Sequence, residues 1–158
     1  MLPLMGVSAW SDVEQTAAPS AGITFEFNVE LYDTDAIHDN ATNTTRFTVP
    51  ADGAGKWAGF FRVGATATSA DDEIQLSWYV NGGAGGITTQ NFALIQNVER
   101  LCELSFPPTL LAAGDYVEII ALNNESITFG QTYSGSANAP YGPDSGNSPW
   151  AVVWRAGL

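Results

Sequence analysis

The sequence predicts an all-β domain of two packed sheets, and three observations carry that prediction. Hydrophobic residues make up 45% of the 158-residue chain and charged residues only 14%, with 16 Gly and 8 Pro, a composition suited to short strands and many turns. Apolar and polar residues alternate with a period of two through most of the chain, and no stretch carries a convincing amphipathic helix. Clusters of Gly, Pro, Asn and Asp punctuate the alternating runs, as turns do. A chain of this length can bury a core in one domain without disulfides or metals.

The run Leu110–Leu122, LLAAGDYVEIIAL, organises the rest. Gly114-Asp115 marks a turn, because Gly accepts positive φ and Asp can bond its own backbone, so a strand starts near Tyr116. Alternation puts Val117, Ile119 and Ala121 on one face and Tyr116, Glu118, Ile120 and Leu122 on the other. Both faces are largely apolar. A strand in a two-layer protein needs one apolar face for its own core; the second calls for another cover, most simply a further copy of the chain.

Taken in order, residues 1–22 form an N-terminal arm ahead of a domain spanning 23–158. Met1, Leu2, Leu4, Met5, Val7 and Trp10 are expected either to strap a neighbouring subunit or to lie as a first strand on their own domain. From Ile23, Phe25, Phe27, Val29 and Leu31 alternate with polar residues as one strand with a wet face. A polar loop follows, then RFTVP, with Phe47 and Val49 in phase, closed by Pro50 and the turn ADGAG. The next strand sets Trp57, Phe61, Val63 and Ala65 against Ala58, Phe60, Arg62 and Gly64, so its second face is only weakly polar. Ile74, Leu76, Trp78 and Val80 then alternate with Gln75, Ser77, Tyr79 and Asn81, which leaves an ordinary solvent side. The segment ITTQNFALIQNV could be strand or loop. Alternation resumes through Cys102, Leu104 and Phe106 and is expected to stop at Pro107-Pro108, since proline cannot donate to a ladder. Ile127, Phe129 and Tyr133 mark another short run, and a loop rich in Gly, Pro, Ser and Asn extends from Ser134 to Pro149. In the last strand Trp150, Val152 and Trp154 face one way, Ala151, Val153 and Arg155 the other. Strands at this spacing without helices predict a jelly-roll sandwich of about ten antiparallel strands in two sheets.

The RFTVP turn with its Gly-rich loop, the aromatic strand from Trp57, EIQLSWYVNGG, the Leu104–Val117 segment with Gly114-Asp115, and the terminal SPWAVVWR come in an order that resembles the globular head domain of the first complement component and of tumour necrosis factor. The resemblance runs from about Ile23 to the end and implies a ten-stranded jelly roll that forms compact trimers. It implies that the strands near Trp57, Tyr116 and Trp150 share an inner sheet packed around a threefold axis, with Phe60, Tyr116, Glu118, Ile120, Leu122 and Val153 as interface residues. LYDTDAIHDN followed closely by TRFTVP looks like the version of this domain found in small bacteriophage and bacterial proteins. That implies a homotrimeric virion protein, made in the host cytoplasm and placed on the capsid surface. Its partners would be the major capsid protein or neighbouring virion proteins, with a receptor- or glycan-binding fibre tip, using the loops Asp33–Asn43 and Ser134–Ser148, as the alternative.

Catalytic chemistry finds little footing. A net charge of -12 with five Lys and Arg leaves no basic patch for nucleic acid. No stretch approaches the roughly 20 apolar residues that cross a bilayer, and no basic leader precedes a signal core. The chain therefore reads as made in a reducing compartment, where the sequons at Asn40, Asn43 and Asn124 would go unused. Asp33, Asp35 and Asp39 sit at a spacing that could offer oxygens to calcium, but the loop lacks the Gly and Glu of an EF-hand, and Asx-type turns explain it better. The single histidine, His38, has no nucleophile-elbow serine near it, and Cys102 is in phase with core residues. No cofactor is expected, and no enzyme.

Overall fold

The structure, a computed structural model, describes residues 5–83, 88–130 and 148–157, and among these it holds thirteen strands and no helix. The larger sheet runs β4 (Val29–Asp33), β1 (Gly6–Trp10), β13 (Trp150–Gly157), β7 (Gly55–Ala67) and β10 (Arg100–Leu111). Beyond the end of β13, β7 pairs instead with β12 (Ile127–Phe129), and β2 (Gln15–Ala17) lies outside that. The smaller sheet runs β5 (His38–Asp39), β6 (Asn43–Thr48), β11 (Tyr116–Leu122), β8 (Asp72–Val80) and β9 (Thr88–Leu94), with β3 (Ile23–Thr24) added to β11. All these strand pairs are antiparallel.

The period-two pattern accounts for the core directly. Val7 and Ala9, Phe61, Val63 and Ala65, Cys102, Leu104 and Phe106, and Ala151 and Val153 face inward from the larger sheet, and Ile74, Leu76, Trp78, Val117, Ile119 and Ala121 from the smaller, each at most 2% exposed. Trp78 stacks on Phe106 at 5.4 Å, and Phe61 meets Phe25 at 4.8 Å. A buried indole must place its N–H, and both fully buried tryptophans do: Trp57 Nε1 donates to the Gly53 carbonyl at 2.8 Å and Trp78 Nε1 to that of Leu104 at 3.4 Å. Gly59 is where Trp78 crosses closest, since a Cβ there would lie 2.9 Å from the Val152 carbonyl and 3.4 Å from the Trp78 ring. A side chain there would press on the Val152 carbonyl of the neighbouring strand, which is backbone and cannot easily give.

Three expectations are corrected here. The strand expected from Ile23 to Leu31 is a crossover instead: β3 pairs with β11 in the smaller sheet, the Phe25 and Phe27 amides reach the carbonyls of Ile119 and Thr44, and β4 then joins β1 in the larger sheet. Phe25 and Phe27 still point into the core, but Leu31 is 54% exposed. Pairing partners, which periodicity does not encode, decide that change. On its open side the crossover is met by the Gln15 amide, which donates to the Glu26 carbonyl and accepts from the Glu26 N–H.

Second, β10 continues through Pro107-Pro108 to Leu111, with its register shifting between Phe106 and Thr109. It has a ladder partner on one side only, so the missing proline N–H groups cost nothing there. Third, residues 5–10 are no arm. Β1 lies between β13 and β4, and Met5 and Val7 are 3% and 0% exposed; of the two readings of this segment, the first strand on its own domain is the one observed. Met1, Leu2 and Leu4 lie outside the described residues.

The turn before β11 is held by side chains. Ala112 N donates to Asp115 Oδ2 at 2.7 Å, Asn81 Nδ2 donates to Asp115 Oδ1 at 2.8 Å, and Asn81 Oδ1 accepts the Tyr116 N–H at 2.9 Å. The Asn81 hydrogen bond, then the Ala112 amide, hold the Asp115 carboxyl below its ordinary range. A carboxyl lowered in the folded state adds stability that is complete above its unfolded value, about 3.9, and is lost as pH falls through the folded one. Asp115→Ala is expected to lower the melting midpoint at pH 7 by a few degrees, about the worth of one exposed hydrogen bond, and to have a smaller effect near pH 3; thermal melts at the two pH values check it.

Candidate interaction surface

Because Ala151 and Val153 of β13 fill the core, Trp150, Val152 and Trp154 must project from the outward side of the larger sheet, where all three are half-buried. The register sets their neighbours. Trp10 and Trp150 are cross-strand partners, Trp150 lies opposite Arg62, and Val152 sits between Ser8 and Phe60. On β10, Ser105 faces Phe60 and Glu103 faces Arg62, while Tyr32 of β4 faces Ser8. The result is an apolar band of Trp10, Trp150, Val152, Trp154 and Phe60, with Arg62 and Glu103 extending the Trp10–Trp150 row.

The band is internally ordered. Phe60 and Trp150 pack edge-to-face at 5.9 Å, the Arg62 guanidinium lies 4.8 Å over the Trp150 ring, and Trp150 Nε1 donates to Ser8 Oγ at 2.9 Å. Trp10 Nε1, by contrast, is out of solvent with no hydrogen-bond partner among the described residues, which is costly for an indole. Next to the band, where the β9 and β10 edges meet, a shallow groove of about 390 Å³ is lined by Phe60, Phe92, Leu101, Glu103, Ser105, Thr88 and Gln90. Phe60 belongs to both band and groove.

The expected interface residues do not come together. Tyr116, Glu118, Ile120 and Leu122 lie on β11, in the smaller sheet beside β8, whereas Phe60 and Val153 lie in the larger one. Val153 points into the core at 2% exposure, and its neighbour Val152 takes the outward place. The outward face of β11 has its own cover. Arg46 lies 4.2 Å over the Tyr116 ring and donates to Glu118 Oε1 at 3.0 Å, and Thr45 donates to the same oxygen. Glu118 is thereby 8% exposed, and its hydrogen bond holds the Arg46 guanidinium above its ordinary pKa. Ile120 is half-buried, and Leu122, at 44%, is exposed. Sequence reading missed Val152 and Trp154 as surface residues and placed Trp10 in a contact arm together with Met5 and Val7, which are buried; in GVSAW the Val7-Ala9 and Ser8-Trp10 alternation was the available signal.

The acidic loop is built for folding. Asp33 accepts the backbone N–H groups of Asp35, Ile37 and His38, and Asp39 accepts those of Ala41 and Thr42 together with the Thr42 hydroxyl. These are Asx-type turns. Among the described residues no three His, Cys, Asp or Glu side chains converge to hold a metal ion. Cys102 is fully buried in the larger sheet, and burial, partly offset by Arg100, pushes its thiol up to about 12. The folded protein is expected to resist thiol reagents at pH 8 and to react fully once unfolded in guanidinium, which a colorimetric thiol assay reads directly. Of the two loops proposed for receptor contact, residues 131–147 lie outside the described residues.

Two antiparallel sheets with this strand order define the jelly roll. No protein-family model matches the sequence, and no curated protein matches it. Among solved structures, the globular domain of the zebrafish complement 1qA protein superposes with a TM-score of 0.55 at 12% identity, covering 96% of this chain and 97% of that one. Eiger TNF from S. frugiperda gives 0.57 at 11% identity, covering 99% and 95%. The fold is therefore that of complement heads and tumour necrosis factor domains, over the whole length.

Proposed function

We propose that this protein is a non-enzymatic structural subunit, a homotrimer that decorates and reinforces a bacteriophage capsid. The observation that carries self-association is the band of Trp10, Trp150, Val152, Trp154 and Phe60, an apolar surface too well ordered for open solvent. Fully burying one large apolar side chain is worth about 1.5–3 kcal/mol, so three such faces together supply ample drive against the cost of association. Band and groove are different patches meeting at Phe60. A contact that seats the band of one copy in the groove of the next is head-to-tail, and a threefold rotation between copies closes such contacts into a ring of three.

Assignment to the virion rests on the resemblance of LYDTDAIHDN and TRFTVP to small phage proteins of this type, with the major capsid protein or its neighbours as partner. A trimer touching the shell at three points binds far more tightly than one contact allows. Cryo-electron microscopy of the particle tests this: trimeric density on the outer capsid surface is expected, and a particle that lacks the chain there, together with glycan binding by the isolated trimer, would move the protein to a receptor-binding role.

A further inference from the structure

His38, the chain's one histidine, is 6% exposed and stands between the crossover segment and β6. Its Nδ1 lies 2.8 Å from the Arg46 carbonyl and its Nε2 2.7 Å from the Phe27 carbonyl. Both partners are backbone oxygens, which can only accept. A neutral imidazole has one N–H and one lone pair, so it satisfies one carbonyl and turns its lone pair on the other. Only the imidazolium donates to both.

From this geometry we propose that His38 is a protonation latch, closing the crossover at Phe27 onto β6 when it carries two ring protons and releasing one of the two contacts when it carries one. The ring sits in a slot made by Phe47, stacked at 5.0 Å, and Phe27, edge-on at 6.2 Å. Three charged residues lie near it in the chain or by backbone contact. Asp33 accepts the His38 backbone N–H at 2.8 Å, Asp39 follows it in sequence, and Arg46 presents its carbonyl while its guanidinium turns away to Glu118. Asp33 and Asp39 are held by backbone amides and Thr42, and the Arg46 guanidinium is bound to Glu118, so among the described residues the two ring nitrogens meet only the Phe27 and Arg46 carbonyls. When the second proton leaves to solvent, the bared nitrogen opposes a carbonyl oxygen at under 3 Å, and that contact opens. The pairing of β5 with β6 and the Phe27–Thr44 and Thr48–Ile37 amide bonds sit on either side of the latch, so this corner of the smaller sheet is the part that loosens.

With one histidine in the chain, a long-range ¹H–¹⁵N correlation spectrum of the ¹⁵N-labelled full-length protein reads the ring without ambiguity. The expected result is two protonated nitrogens at about pH 5 and one bare nitrogen at about pH 9, with exchange of the Phe27 and Thr48 amides at least tenfold faster at the higher pH after correction for intrinsic exchange. In His38→Gln that acceleration should vanish. One fixed neutral tautomer across the range, or exchange indifferent to pH in the native protein, would overturn the proposal; the native spectrum decides even if the variant does not fold.

Discussion

Val152→Asp is expected to convert the assembly into folded monomers, while the same change one residue along, Val153→Asp, is expected to unfold the chain. Both residues sit on β13 and differ only in the side of the sheet they face. Val152 is half-buried in the band, opposite Ser8 and Phe60. A carboxylate there stays hydrated in the free subunit, but in a closed ring it would be buried once in each copy without a partner, and each burial costs several kcal/mol. Val153 is 2% exposed in the core. An ionised group in that place costs upwards of about 4–5 kcal/mol, much of the roughly 5–15 kcal/mol that holds a domain together. Circular dichroism with light scattering separates the outcomes: native spectrum and low mass for Val152→Asp, lost β signal for Val153→Asp. Ile120→Asp, on the outward face of β11 in the other sheet, should leave the mass unchanged.

Phe61→Ala carries the largest expected effect among cavity-forming changes. Phe61 is fully buried where the sheets meet the crossover, 4.8 Å from Phe25 and 6.2 Å from Phe27. Neighbouring aromatic rings are too stiff to collapse into the space, so both the transfer term and the cavity term apply, together about 3–5 kcal/mol. For a chain of this size that corresponds to a fall in melting temperature of about 6–20 °C. Differential scanning calorimetry reads it, and a fall below about 3 °C would mean that the crossover packs less tightly than the ring contacts imply.

Strand identity was legible in the sequence, because alternation is a local property: the inward sets of β7, β8, β11 and the Cys102–Phe106 run are the ones the pattern selects. Sheet membership was not, because it depends on which strand lies next to which. The apolar second face of β11 was read as a demand for a partner subunit. Arg46, seventy-two residues away in sequence, meets that demand by lying on Tyr116 and binding Glu118. On β13 alternation gave two sets but not their direction, since Trp150, Val152 and Trp154 are as apolar as Ala151 and Val153. The direction follows from the pairing of β13 with β1 and β7, which sets Ala151 and Val153 in phase with the inward residues Ala9, Val7 and Phe61. The first strand was obscured by its brevity: GVSAW alternates over only five residues, and its place between β13 and β4 depends on pairing that the local pattern does not carry.

The band makes sense only if it is covered, and the mass of the full-length protein in dilute solution measures that cover. Analytical ultracentrifugation is expected to give three times the 16.7 kDa subunit mass, with the Trp150→Asp variant falling to one. A native protein that sediments as a single subunit at micromolar concentration, with its tryptophans open to an aqueous quencher, would contradict it.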